Sequence, residues 1–218
     1  MTDTDRFQGL YAITDSRLCP SDRILQQVES ALAGGARIIQ YRDKRQDRTG
    51  SAEQLREILK LCERANALLI INDDIELALA TNAHGVHLGR EDATLSEARE
   101  RLGPSAVIGV SCYNRLELAR EAEEMGADYV AFGRFFPSRT KPDAVSADPG
   151  LLLSARQTIR KPLVAIGGIS HENGAQLIAA GADMLAVIEA VFGQPDVEAA
   201  SRRLSALFSS QENNNESF

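Results

Sequence analysis

Residues 126–133 read GADYVAFG, and residues 181–188 read GADMLAVI. In both, a glycine that can end a helix in the left-handed conformation is followed by an alanine that lets the next strand pack closely. The apolar run after it has no polar alternate, as in a strand covered on both faces. GGARIIQ at 34–40 is a looser copy of the same junction. Working outward, LYAIT (10–14), ALLIIN (67–72), GVHLG (85–89), VIGVS (107–111) and LVAIGG (163–168) complete a set of eight short apolar runs. Between them lie amphipathic, helix-like segments such as SDRILQQVESALAGG, SAEQLREILKLCERAN, LELAREAEEMG, LLLSARQTI and NGAQLIAAG. The first opens with Ser21 or Asp22 as an N-cap and stops at Gly34 and Gly35. Strands separated by single helices predict a parallel sheet with helical crossovers. A doubly wound sheet would use the same junctions. The count of eight units favours an α/β protein of the (β/α)₈ TIM-barrel class, a single domain over residues 8–209, with a polar and disordered tail at 210–218.

Composition narrows the function classes. The chain has 218 residues, 44% hydrophobic and 25% charged, which is ordinary for a globular protein. Its net charge of −7 disfavours nucleic acid as the main partner. Three cysteines, Cys19, Cys62 and Cys112, share no metal-like spacing and form no even disulfide framework, so a reduced, cytoplasmic setting is expected. MTDTDRFQGL has no signal-peptide pattern, and no apolar run approaches a membrane span, so no membrane partner is expected.

In a barrel of this class the active site gathers at the C-terminal ends of the strands. The second run ends in QYRDK, which puts Gln40, Arg42 and Lys44 at alternate positions on one face. An amide, a guanidinium and an ammonium converging there suit an anion with several oxygens. The alternative is a solvated strand end in which Asp43 pairs with a neighbour. The third run ends in Asn72, Asp73 and Asp74, and the fourth leads to Asp92. Carboxylates beside an anion site imply a cation between them, and Mg²⁺ suits one or two carboxylates plus phosphate oxygens. They would equally serve as helix N-caps, a role that Asp74 fits before IELALA. The connection GRFFPSRTKPDAVSADPG at 133–150 carries hydroxyls and positive charge, as a substrate lid or a solvated loop would. Gly167 and Gly168 in AIGGI suit a second, backbone-built phosphate site after strands seven and eight. Ser111 and Cys112 end the fifth run, but no histidine is placed by motif to activate either. His84 and His87 lack helical metal-ligand spacing and would face opposite sides of a strand.

QYRDK, INDD, GVHLGREDA, GVS, GADYVAFGRFFPSRTK and AIGGI, in this order and spacing, resemble the thiamine phosphate synthase family from LYAITD at 10–15 to AVIEAVFG at 186–193. The resemblance implies a barrel that joins hydroxymethylpyrimidine diphosphate to hydroxyethylthiazole phosphate, releasing pyrophosphate. It implies that the QYRDK stretch (Gln40, Tyr41, Arg42, Asp43, Lys44) binds the diphosphate, with Asn72, Ser111 and Lys141 around the pyrimidine substrate. It implies Mg²⁺ on Asp73 and Asp92, and the thiazole phosphate on Ser138, Arg139, Thr140, Gly168 and the backbone at Ile188 and Glu189. Catalysis would fall to Arg42, Lys44, Lys141 and Ser111. Glu189 departs from the pattern, since many members carry serine there, and its carboxylate is expected to turn away from a phosphate. Two other readings share the barrel. One is a thiazole tautomerase, whose members carry a histidine where this chain has Tyr113 and lack the aspartate found here as Asp92. The other is a non-catalytic barrel that binds thiamine phosphate.

Overall fold

The computed structural model describes residues 6–43, 51–89, 92–137 and 146–215. Eight parallel strands close on themselves: β1 (Gly9–Ile13), β2 (Ala36–Tyr41), β3 (Leu68–Asn72), β4 (Gly85–Leu88), β5 (Val107–Tyr113), β6 (Tyr129–Gly133), β7 (Leu163–Ile166) and β8 (Met184–Val187). Each strand pairs with its sequence neighbours, and β1 pairs with β8 to complete the barrel. The crossovers are α1 (Ile24–Ala33), α2 (Ser51–Arg64), α3 (Ile75–Thr81), α4 (Leu95–Leu102), α5 (Leu116–Glu124), α6 (Gly150–Arg156) and α7 (Gly174–Ala179). After β8 come the short α8 (Glu189–Phe192) and the long α9 (Val197–Asn215). None of the described helices is long and apolar enough to cross a membrane.

The strands are apolar on both faces because each face packs on something. Leu10, Ile39, Leu69, Val86, Ile108, Val130 and Leu185 point out and form one buried layer with the helices. Tyr11, Ile38, Leu68, Ile70, Tyr129, Val164 and Met184 point in and fill the barrel. The repeated GAD junctions share one device. Asp128 donates its backbone N–H to Ile108 O, while its Oδ2 accepts from Ile108 N–H and from Arg99, each at 2.8 Å. Asp183 does the same with Leu163, whose N–H lies 2.7 Å from Oδ2, and pairs with Arg156. The arginines also reach the junction carbonyls of Gly126 and Gly181. These two glycines and Gly35 have φ of 90, 110 and 97°, where a side chain would be strained.

Two local expectations change. Helix α1 starts at Ile24 with Arg23 at the cap position and no side-chain cap, because residues 21–23 form a turn before it. At the other end, the backbone from 210 onward, read as a tail in the sequence, is helical as far as Asn215.

Candidate active site

Alternation along the strands builds the site. The inward row of β2 continues from Ile38 to Gln40 and Arg42, and that of β3 from Ile70 to Asn72. On β4 and β5 the corresponding positions are His87 and Ser111. The inward rows are thus apolar at the floor and polar near the mouth. They line a cavity of about 470 Å³. Its opposite wall is Gly133, Arg134, the 166–170 backbone and Ala186–Ala190, with Gln194 behind.

Gln40 is 3% exposed and donates through Nε2 to Tyr11 Oη at 2.6 Å. Arg42 sits nearer the mouth. Its side chain is 11% exposed, its backbone N–H donates to Thr14 Oγ1 at 3.0 Å, and its guanidinium lies 3.9 Å from Asp15. The two aspartates after β3 part company. Asp74 takes extended backbone and caps α3 through Leu77 N–H at 2.9 Å. Asp73 has a left-handed φ of 64° and receives a hydrogen bond from the Asn72 amide. Its carboxyl meets that of Asp92, which also accepts from Gly89 N–H at 2.6 Å. Burial, then the hydrogen bond and charge of Asp92, push the Asp73 carboxyl up to about 6, against the pull of Asn72 and Arg42. A positive charge between two carboxyls in this contact would relieve the cost of ionising Asp73 beside Asp92, so the pair is a donor set that fits a hard divalent cation. Among the described residues no group of three or more His, Cys, Asp or Glu comes together. Magnesium needs only one or two, completing its shell with water and ligand phosphate.

On the far wall, Gly167 and Gly168 have φ of 103 and 63°. An added Cβ would lie 2.3 Å from Arg134 Cβ at the first and 2.4 Å from Pro137 O at the second. Backbone therefore faces the cavity here, as phosphate sites of such barrels require. Ile188 and Glu189 join the same wall, and the Glu189 Cγ packs against Gly193.

Gln40, Arg42, Asn72, Ser111, Gly168, Ile188 and Glu189 thus come together around one cavity, with Asp73 and Asp92 forming a pair beyond Asn72. Tyr41 and Asp43 do not join them. Tyr41 points outward into the helix-facing layer, and its hydroxyl donates to Asp43 at 3.3 Å. Lys44, Ser138, Arg139, Thr140 and Lys141 lie outside the described residues.

One expectation needs correction. A histidine does serve Ser111: His87 Nε2 lies 2.8 Å from Ser111 Oγ, and His87 Nδ1 lies 3.1 Å from Tyr129 Oη. The motif search misses it because the two residues sit on neighbouring strands, with His87 level with Gly109. The available signal was a histidine in the inward register of GVHLG, between the outward Val86 and Leu88. Tyr11 and Tyr129 carry the same signal, being polar-tipped residues on inward rows. Cys112 is not a nucleophile candidate. All three cysteines are free and buried, and burial pushes the thiols of Cys62 and Cys112 up to about 12 and Cys19 to about 11.

Residues 10–191 match the profile of the family described as thiamine monophosphate synthase. The chain is 51% identical to the thiamine-phosphate synthase of Thioalkalivibrio sulfidiphilus, over 95% of this chain and 99% of the relative. It is 52% identical to the thiamine-phosphate synthase of Thiobacillus denitrificans, over 93% and 96%. The solved structure of a thiamine phosphate pyrophosphorylase from Pyrococcus furiosus superposes with a TM-score of 0.86 at 37% identity, covering 95% of this chain and 98% of that one.

Proposed function

Because the chain belongs to the thiamine monophosphate synthase family, we propose that its cavity holds hydroxymethylpyrimidine diphosphate and hydroxyethylthiazole phosphate end to end. The reaction of the family joins the two into thiamine phosphate and releases pyrophosphate. The observation that carries this arrangement is the distribution of charge and backbone around one cavity. Arg42 lies at one side, towards the Asp73–Asp92 pair, and the Gly167–Gly168 backbone at the other. The first end suits the diphosphate, and the second suits a phosphate monoester.

The C–O bond to the diphosphate breaks, and its electron pair leaves with pyrophosphate. The electron-rich aminopyrimidine ring spreads the positive charge left on its methylene carbon. The lone pair of the thiazole nitrogen then forms the new C–N bond. That nitrogen has no proton to lose, so no general base is needed. Arg42, with Lys44 and Lys141, stabilises charge growing on the leaving group. Asp73 and Asp92 would hold Mg²⁺, which when bound would supply further positive charge to the leaving group. Asn72 holds Asp73 in place, while Gly168, with the backbone of Ile188 and Glu189 and the 138–140 segment, binds the thiazole phosphate. His87 positions Ser111 against the pyrimidine. A reduced cytoplasm suits the free thiols.

Pyrophosphate release with both substrates and Mg²⁺ tests the reading. One pyrophosphate should appear per thiamine phosphate formed, and none when either substrate is left out. A tautomerase or a binding barrel would release none, and that result overturns the assignment.

A further inference from the structure

The turn after β7 lies on the cavity wall, and three successive carbonyls in it are tied back. Ile166 O accepts from Phe135 N–H at 3.2 Å, and Gly167 O accepts from Phe136 N–H at 3.0 Å. Gly168 O accepts from the side-chain amide of Asn173 at 3.0 Å. The same side chain takes the Ser170 N–H on its Oδ1 at 2.8 Å, so it clasps the turn on both sides of Ile169. Gly167, Gly168, Ile169 and Ser170 line the cavity, whereas Phe136 and Asn173 stand behind them. Asn173 occupies the cap position of α7, where an asparagine oxygen ordinarily accepts from the helix's own first N–H groups. It makes no such bond here. Both ends of its amide serve the turn instead.

Peptide geometry then fixes what the cavity meets. The 167–168 and 168–169 peptides are trans, and a trans peptide points its N–H away from its C=O. With both carbonyls held behind the wall, the N–H groups of Gly168 and Ile169 point the other way, towards the cavity. Among the described residues no acceptor meets either of them. Backbone N–H groups on successive residues that point into one concavity suit an anion. The two peptides are held differently. Gly167 O is fixed by backbone, Gly168 O by the Asn173 side chain. Gly168 has a φ of 63° and no Cβ, so its own sterics do little to stop the following peptide from turning over. Turned over, that peptide would set a carbonyl oxygen against a phosphate oxygen.

We propose that Asn173 is a positioning residue that keeps the Gly168–Ile169 peptide with its N–H towards the cavity. It thereby sets how strongly the cavity prefers a phosphate monoester over the free alcohol. This deepens the proposed function and rests on its reading of the Gly167–Gly168 wall as the thiazole phosphate end.

The test uses thiamine phosphate and thiamine as probes, which differ only in the phosphate and do not react when pyrophosphate is left out. In calorimetry the wild-type chain should bind thiamine phosphate about 100-fold more tightly than thiamine. In Asn173→Ala that preference should fall about tenfold, as for the loss of one hydrogen bond to a charged group. The KM for the thiazole phosphate should rise by a similar factor, with the KM for the pyrimidine diphosphate within about twofold of wild type. Amide NMR separates positioning from loss of the turn. Thiamine phosphate should shift the Gly168 and Ile169 amide protons of the wild type. In Asn173→Ala the Ile169 response should vanish, while that of Gly168, held through Phe136, should remain. Glu172→Ala removes a bond to Ser170 Oγ in the same turn and should change neither the preference nor the shifts. An unchanged preference in folded Asn173→Ala overturns the proposal. So does an equal loss in Glu172→Ala, because any loosening of the turn would then suffice. If Asn173→Ala does not fold, the wild type decides alone: an Ile169 amide that thiamine phosphate leaves unmoved overturns the proposal. Wild-type binding of the two probes within about threefold overturns it too, and shows that the phosphate reading of the wall has failed rather than the role of Asn173 alone.

Discussion

At the floor of the barrel, Asp128 and Asp183 each accept a backbone N–H from the neighbouring strand and each meet a guanidinium, from Arg99 and Arg156. At the mouth, Asp73 and Asp92 meet one another. The floor pairs close a structure: a carboxylate that accepts strand amides and holds a cation ties one βα unit to the next. The mouth pair is incomplete by the same standard, because burial and the neighbouring Asp92 raise the proton affinity of Asp73. Burial of a half-satisfied acid is unfavourable for the fold, and a cation bound there, as proposed, would offset that cost. Identical side chains thus do opposite jobs at the two ends of one set of strands, the stability end and the functional end of this barrel class.

The largest effect should come from breaking the mouth pair. Asp92→Ala removes one of two cation donors, and pyrophosphate release should fall by about 10³-fold at limiting Mg²⁺, roughly 4 kcal/mol of barrier. The Mg²⁺ concentration for half-maximal rate should rise, and the melting temperature should change little, because relief of the carboxyl contact offsets the lost acceptor for the Gly89 N–H. An unchanged Mg²⁺ titration would sink the metal assignment. Arg42→Ala comes next. Removing one preorganised cation from the leaving group should lower kcat/KM about 10²-fold, with a weaker KM for the pyrimidine diphosphate and an unmoved KM for the thiazole phosphate. Equal changes in both KM values would show that Arg42 acts on the cavity as a whole.

The floor gives the mirror image. Asp183→Ala leaves the Leu163 N–H and Arg156 without their shared acceptor. Both groups of that ion pair are more than a third exposed, so the loss rests mainly on the strand amide, about 2 kcal/mol, or roughly 4–8 °C in melting temperature. Steady-state constants for both substrates should stay at the wild-type level. A variant that melts normally but turns over slowly would break the division between the two ends.

How much of this division can be read in the chain depends on whether a residue's role is local. The eight strands are legible because each apolar run is bounded by its own turn signals, and Gln40 and Arg42 because a strand alternates with period two. Asp73 and Asp74 are adjacent acids in the sequence, and only a positive φ at Asp73 turns one out and leaves the other as a cap. The shared role of Asp128 and Asp183 shows as a repeated GAD, while their arginine partners lie on helices with no repeated spacing to mark them. Tyr11 and Tyr129 are 118 residues apart and meet only because the barrel closes. No period along the chain encodes that contact. The contact of His87 with Ser111 is missed for the same reason, since strand register joins them and motif spacing does not.

The smallest expected effect sharpens the comparison most directly. In the metal-free protein the Asp73 carboxyl is raised to about 6, first by burial and then by Asp92. The unfolded chain gives up that proton near the ordinary aspartate value of about 3.9. Between these limits the folded state binds more protons than the unfolded one, so unfolding free energy falls as pH rises. The contribution is fully present below the unfolded value and is lost as pH passes through about 6. Because the carboxyl is half exposed, solvent screening keeps it to about 1 kcal/mol or less. Urea unfolding with EDTA at pH 4.5 and pH 7 should show this loss in the wild type and not in Asp73→Asn. Saturating Mg²⁺ should remove it, because the cation stabilises the ionised pair. If wild type and Asp73→Asn shared one pH slope with EDTA, the mouth carboxyls would be as well satisfied as those at the floor, and the contrast between the two ends would collapse.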